Sequence, residues 1–331
     1  MEITKLGNTH LHITPLGLGL AALGRPGYIN LGHEKDLPEN YLIPDMEEHA
    51  HRVLDAAYQA GVRYFDAARS YGRAEKFLAS WLASRGISPG EITVGSKWGY
   101  TYTAGWKVDA EVHEVKEHSL EVLRRQWKES HEILGPHLDL YQIHSATLES
   151  GVLENMEVLR ELIQMKEKGL AVGLTVSGEN QAQVIEKALS CRLGGAQVFD
   201  AVQATWNLLE RSAGPVLARA HQQGLGVIVK EALANGRLTP RNQRPSFSDK
   251  RERLEQEAAK HSTTIDALAL AAVLAQPWVD VVLSGAARTG HLESNIKALG
   301  VTWDEELETA LEDLQESCPA YWETRSSLEW N

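Results

Sequence analysis

Cysteine is nearly absent: Cys191 and Cys318 are the only two in 331 residues, and they form no CxxC pair. With no dithiol motif and no histidine cluster at ligand spacing, neither a disulfide framework nor a structural zinc is expected, and the thiol count suits a reducing compartment. Long apolar runs are missing as well. The start, MEITKLGNTHLHITPLG, alternates polar and apolar around a Gly-Asn turn and reads as a hairpin rather than a signal peptide, and no later stretch stays apolar long enough to span a bilayer. Positive charge is in short supply. Lys plus Arg number 33 against 45 Asp plus Glu, a net charge of −12, which argues against nucleic acid and anionic membranes as partners but leaves room for a local basic pocket for a phosphate. No Gly/Ser-rich or charge-run linker divides the chain. The expectation is a cytoplasmic single domain that takes a small molecule, with no metal and an oligomeric state the sequence does not specify.

What is present is an alternation of short apolar runs and longer amphipathic stretches. Strands are expected at Pro15–Leu20, Val62–Asp66, Ile92–Lys97, Leu138–His144, Ala171–Val176, Phe199–Ala204, Gly226–Lys230 and Val279–Ser284. Between them, Ala50–Gly61 gathers Ala50, Val53, Leu54 and Ala57 on one helical face, and Glu154–Gly169 does the same before ending KEKG, basic residues and then a glycine. Further helices are expected at Ala74–Arg85, Ala110–Leu134, Gln181–Cys191, Gly214–Gln223 and Lys250–Leu274. Eight strand signals followed by helices or long loops point to a single (β/α)8 barrel with an N-terminal β-hairpin and a C-terminal helical extension over 303–331. The competitor, an open doubly wound sheet, calls for a GxGxxG turn after the first strand, and GLGLAALG lacks that spacing. The loop at 24–45 is too long for an ordinary connection and reads as a lid or binding loop.

In a parallel barrel the functional side chains collect at the C-terminal strand ends. Asp66 ends the second strand in FDAARSYG, and Tyr71 follows it in the loop. Lys97 closes the third strand in VGSKWG, and His144 the fourth in LDLYQIHSA. Taken singly, each has an ordinary structural explanation: a loop cap, a packing residue, a solvated strand end, a satisfied core histidine. Together they are costly to bury unless they pair. They also make chemical sense as a set. A lysine beside a tyrosine lowers the phenol pKa, an aspartate compensates the lysine, and a histidine orients a substrate oxygen. This is equipment for protonating a carbonyl oxygen, and it lacks an electron source, which an organic cofactor would have to supply.

The motifs FDAARSYGRAE, SKWG and YQIHSA resemble the aldo-keto reductase family, and the resemblance runs from the N-terminal hairpin to Asn295. It implies Tyr71 as general acid/base, Lys97 tuning it, Asp66 paired with Lys97 and His144 orienting the carbonyl. It also implies NADPH, with NADH as the alternative, lying across the barrel mouth. Gln203 in VQATWNLLE matches the family glutamine on the nicotinamide amide. In GLTVSG, Thr175 stands at the family serine, while Val176 replaces an asparagine and Ser177 follows. In VIVKEALANGRL, Lys230 stands where relatives carry an aromatic that stacks on the nicotinamide. The resemblance leaves Lys230 either reaching the pyrophosphate or paired with Glu231. In VVLSGAARTGHLESN, the Ser284–Gly285 turn offers backbone N–H groups to a phosphate, Arg288 is expected at the 2′-phosphate, and Asn295 at adenine.

KWGYTYTAGW places Trp98, Tyr100, Tyr102 and Trp106 just after Lys97. Their alternation reads either as a hairpin face or as a substrate wall, the wall being expected from Trp98 and Trp106. Arg69 and Arg73 flank Tyr71 as candidates to attract an anionic substrate or to pair with Glu75 and other acids. The function expected is reduction of an aldehyde or ketone to an alcohol. Two alternatives stand beside it: a cofactor-binding regulatory subunit on the same barrel, and a barrel lyase or isomerase using Lys97 as a Schiff-base former.

Overall fold

A computed structural model describes residues 1–331. Eight parallel strands close into a barrel: β1 (Leu16–Gly19), β2 (Tyr64–Asp66), β3 (Thr93–Trp98), β4 (Leu138–Ala146), β5 (Ala171–Val176), β6 (Ala201–Thr205), β7 (Gly226–Lys230) and β8 (Val281–Ser284). Each pairs with its sequence neighbour, and β8 returns to β1 through Val282–Leu16 and Ser284–Leu18. The strands are almost wholly buried, as expected where helices cover one face and side chains fill the other.

The helices are α1 (Ile43–Gln59), α2 (Ala74–Arg85), α3 (Leu120–Leu134), α4 (Met156–Glu167), α5 (Gln181–Ser190), α6 (Gly214–Gln222), α7 (Ser248–Lys260), α8 (Ile265–Leu274), α9 (Thr289–Ile296), α10 (Glu305–Leu311) and α11 (Cys318–Ser326). Their local causes are visible. In α1, Met46, Ala50, Val53, Leu54 and Ala57 form the buried stripe, and Pro44 sits in the first turn where its missing N–H is harmless. Ser119 caps α3 by accepting from Val122 N, and Asn155 caps α4 through Glu157 N and Val158 N. Gly86 ends α2 in the left-handed region at φ 64°.

The expected elements are present with shifted ends, and two helices were read too long. Residues 110–119 do not belong to α3; Glu114–Lys116 pairs antiparallel with Tyr100–Tyr102, so the alternating aromatics after Lys97 are a hairpin. The stretch 250–274 is broken between α7 and α8, where Ser262 has φ 51° and Thr264 caps the second helix. The N-terminal hairpin, Thr4–Lys5 with His12–Ile13, plugs the bottom of the barrel. There Leu6, Leu11 and Ile13 pack with Tyr64, Leu140 and Ile228. The long 24–45 loop crosses the opposite end and meets the last residues of the chain: Tyr28 N donates to Asn331 O at 3.0 Å, and His33 N to Asn331 Oδ1 at 2.7 Å.

Candidate active site

Strand register brings the expected residues to one layer. Asp66 lies beside Gly19 and Gly95, and Lys97 beside Gln142. The Lys97 ammonium is ion-paired with Asp66 Oδ2 and donates to Ala67 O at 2.8 Å. The other Asp66 oxygen accepts from Tyr64 Oη at 3.1 Å, Gln203 Nε2 at 3.0 Å and Gln142 Nε2 at 3.3 Å. A carboxylate only 2% exposed is thus fully provided with donors, as its burial demands. Gly95 makes this possible: a Cβ there would stand 2.6 Å from the Tyr64 hydroxyl.

The loop carrying Tyr71 is clamped from both sides. Below, Arg69 is ion-paired with Glu75 and, at 2.8 Å, with Glu129. Glu75 is itself buried and accepts from Ser96 Oγ at 2.6 Å and Ser130 Oγ at 2.7 Å. Above, Arg25 donates to Ser70 O at 2.9 Å and to Glu114 Oε2 at 3.1 Å. Arg69 therefore anchors the loop and faces no substrate, and Arg73 lies 5.8 Å from the Trp106 ring. Gly72, at φ 60°, passes so close to Gly24 O that a Cβ would meet it at 2.5 Å.

Around the Tyr71 ring stand Lys97 Nζ at 4.9 Å from its centroid, the Arg25 guanidinium at 5.4 Å, and the His144 ring edge-on at 5.5 Å. His144 reaches the mouth because β4 is irregular after Ile143: Ser145 takes φ 50°, and its N–H donates to Thr175 Oγ1 at 2.7 Å. Burial pushes the Tyr71 phenol well above its usual pKa, Asp66 adds to the rise, and Arg25 is the strongest opposing influence. Sequence reasoning expected Lys97 to acidify the phenol. In the folded chain the lysine's charge is matched by Asp66, and Tyr71 is held protonated. Burial, with Lys97, Lys230 and Arg25 adding to it, keeps His144 well below the usual histidine range and therefore neutral.

Tyr71, Arg25, His144 and Asp66 border one cavity of about 930 Å³ at the C-terminal ends of the strands, whereas Lys97 is buried and does not line it. Its size is at the upper end for ligand pockets. The family model of the Aldo/keto reductase family matches residues 16–316, which span all eight barrel strands. The chain belongs to the aldo/keto reductase family. It is 26% identical to the aldo-keto reductase ausK of Emericella nidulans over 94% of this chain and 80% of that one. Norsolorinic acid reductase of Aspergillus flavus is 25% identical, over 92% of this chain and 78% of its own. Among solved structures, the holo form of the aldo-keto reductase AKR11C1 from Bacillus halodurans superposes with a TM-score of 0.72 at 23% identity, covering 96% of this chain and 97% of that one.

In this aldo/keto reductase, Asp66, Tyr71, His144, Thr175, Gln203, Lys230, Ser284, Gly285 and Asn295 all border the cavity. Arg288 does not. It is exposed at the start of α9, and Arg241 borders the cavity instead, held by Asp36 of the 24–45 loop through a contact of 2.6 Å. Trp98 is fully buried against His118 and Trp106 donates to Tyr41 O, so neither of these expected wall residues reaches the cavity, whereas Tyr100 does. Lys230 donates to Ser177 Oγ at 2.7 Å and Thr205 Oγ1 at 3.0 Å, with Glu231 at 3.9 Å. Burial brings Lys230 down to about 8. Burial opposes ionisation of Glu231, but Arg325 and Lys230 outweigh it and hold the carboxyl at about 2.

The donor set suits a dinucleotide. Gly285 and Gly290 have nothing within 4 Å of where a side chain would begin, which leaves backbone open to a phosphate at the end of β8 and the start of α9. The Asn295 amide is best satisfied with Oδ1 accepting from Ser284 Oγ at 2.8 Å and Nδ2 donating to Asp266 Oδ2 at 2.8 Å. Two participants were missed from sequence. Gln142 is two residues before His144 on one strand, hence on the same face, a signal that period-two reading offers. Arg25 follows the apolar run GLGLAALG as an isolated charge, and nothing local marks its long reach to Ser70 and Glu114.

Proposed function

We propose that this aldo/keto reductase reduces an aldehyde or ketone to an alcohol with NADPH. The observation that carries the reading is a protonated, cavity-facing Tyr71 flanked by Lys97, Arg25 and a neutral His144. NADPH, when bound, supplies a hydride from nicotinamide C4 to the carbonyl carbon. Tyr71 gives its proton to the carbonyl oxygen, and the neighbouring cations stabilise the phenolate that remains. His144, neutral, offers a ring N–H to the same oxygen and so sets the face presented. Asp66 holds Lys97 in place and offsets its charge in the resting site.

For the cofactor, Gln203 and Thr175 are the groups proposed at the nicotinamide, Lys230 at the pyrophosphate, Ser284 and Gly285 at the adenosine phosphate, and Asn295 at adenine. Arg241, which borders the cavity, is the cation proposed for a 2′-phosphate in place of the solvent-exposed Arg288. The reading is tested by mixing purified protein with NADPH, and separately NADH, and a panel of aldehydes and ketones, following the nicotinamide absorbance. Oxidation of NADPH in proportion to alcohol formed is expected. Tight NADPH binding with no oxidation across the panel would favour the regulatory-subunit reading instead.

A further inference from the structure

The hairpin after β3 carries charge into the cavity that the reaction above does not use. In its register Lys116 stands opposite Tyr100 and Glu114 opposite Tyr102, so Glu114 and Lys116 share one face, and both border the cavity. Glu114 is taken by Arg25 at 3.1 Å. Lys116 has no such partner. Its ammonium lies 5.9 Å from the Tyr100 ring centroid and is half-buried, with Glu149 the carboxylate that favours its charge. On this wall Glu114 is engaged by Arg25, which leaves the Lys116 ammonium without an ion-paired or hydrogen-bonded carboxylate. The Tyr100 ring in turn lies 4.9 Å from the ring of His144, which puts Lys116 one aromatic ring beyond the group proposed to orient the carbonyl.

We propose that Lys116 is an anion-binding residue of the substrate site, and that the substrate is an aldehyde or ketone bearing a carboxylate about one ring's width from its carbonyl. An unpaired ammonium in a partly desolvated cavity gains more from a carboxylate than one in open water does. In a chain of net charge −12 an unpaired cation at this wall also discriminates locally, because most of the surface repels anions. The arginines beside Tyr71 in sequence do not serve this purpose, since Arg69 is consumed by Glu75 and Glu129. The flanking rings of Tyr28 and Trp330, each held against Arg25, give the intervening part of the ligand an apolar, flat enclosure.

This inference takes the position of the carbonyl from the reductase reading, but the anion site is measurable without turnover. The probes are 4-carboxybenzaldehyde and its neutral methyl ester, titrated into protein with NADP+ while tryptophan fluorescence is followed. Wild type is expected to bind the carboxylate more tightly than the ester. Lys116→Gln should weaken the carboxylate by about tenfold and the ester little, and Lys116→Arg should restore the preference. Equal binding of the two probes by wild type, or an unchanged preference in Lys116→Gln, would overturn the proposal. Failure of the reductase reading looks different: the binding preference persists, and neither aldehyde oxidises NADPH.

Discussion

Lys97 and Asp66 form an ion pair beneath the Tyr71 ring, with the ammonium 4.9 Å from the ring centroid and its hydrogen bonds directed to Asp66 and Ala67 O rather than to the phenol oxygen. Both partners are buried, so each depends on the other for its charge. Lys97→Met should cost about 3–5 kcal/mol, because it strands a buried carboxylate. The double variant Lys97→Met with Asp66→Asn should lose less than the single one. Urea denaturation reads both, and a single variant as stable as wild type would show that the pair is not desolvated as described.

Tyr71→Phe removes the acid and keeps the ring. Turnover should fall by roughly 10²–10⁴-fold, the usual worth of general acid catalysis, while NADPH binding followed by fluorescence stays near wild type. Retained reduction would mean that another group delivers the proton.

Lys230 loses its charge as pH rises through about 8 in the free protein. If it meets the pyrophosphate, an anionic ligand favours the charged form, so NADPH affinity should decline above that pH. Lys230→Met should bind NADPH more weakly at neutral pH and show no such decline. A flat affinity profile in wild type would assign Lys230 to its local bonds with Ser177 and Thr205 alone.

Acid should destabilise the fold through its buried histidines, opposed in the same window by Asp139, whose carboxyl burial raises to about 6. Burial holds both His33 and His118 at about 4, against 6.5 for the free side chain. Between these values the unfolded chain binds the protons that the folded chain refuses, so the histidines' share of stability is complete above 6.5 and falls as pH drops. Each histidine should contribute a loss of about 2 kcal/mol near pH 5. Replacing His33 with Gln should flatten the profile in that window if packing is kept, and thermal melts between pH 7 and pH 5 measure it.

The barrel was legible because its signals are local. Apolar runs bounded by turn residues mark β4, β5 and β7 to within two residues, and the buried stripe of α1 repeats at helical spacing. The misread stretches were those where local pattern is silent. Residues 110–119 carry enough helix-compatible residues to extend α3 backwards, yet the pairing of Glu114–Lys116 with Tyr100–Tyr102 is a contact across the intervening loop. Likewise, α7 and α8 read as one helix until Ser262 and Thr264 break it.

For the site, the residue types at or near the strand ends, Asp66, Lys97 and His144, with Tyr71 in the loop after Asp66, were determined by the sequence, because a strand's end is a one-dimensional property and the barrel turns every such end to one mouth. Which cations face which acids was decided only by the tertiary structure. Arg69 beside Tyr71 in the chain turns away to Glu75, while Arg25, far from it in sequence, packs over its ring. Arg288 stays in solvent, and Arg241 reaches the cavity through Asp36. Long charged side chains find partners by distance in space, at ranges of a few ångströms, and neither their spacing along the chain nor their identity encodes where that partner lies.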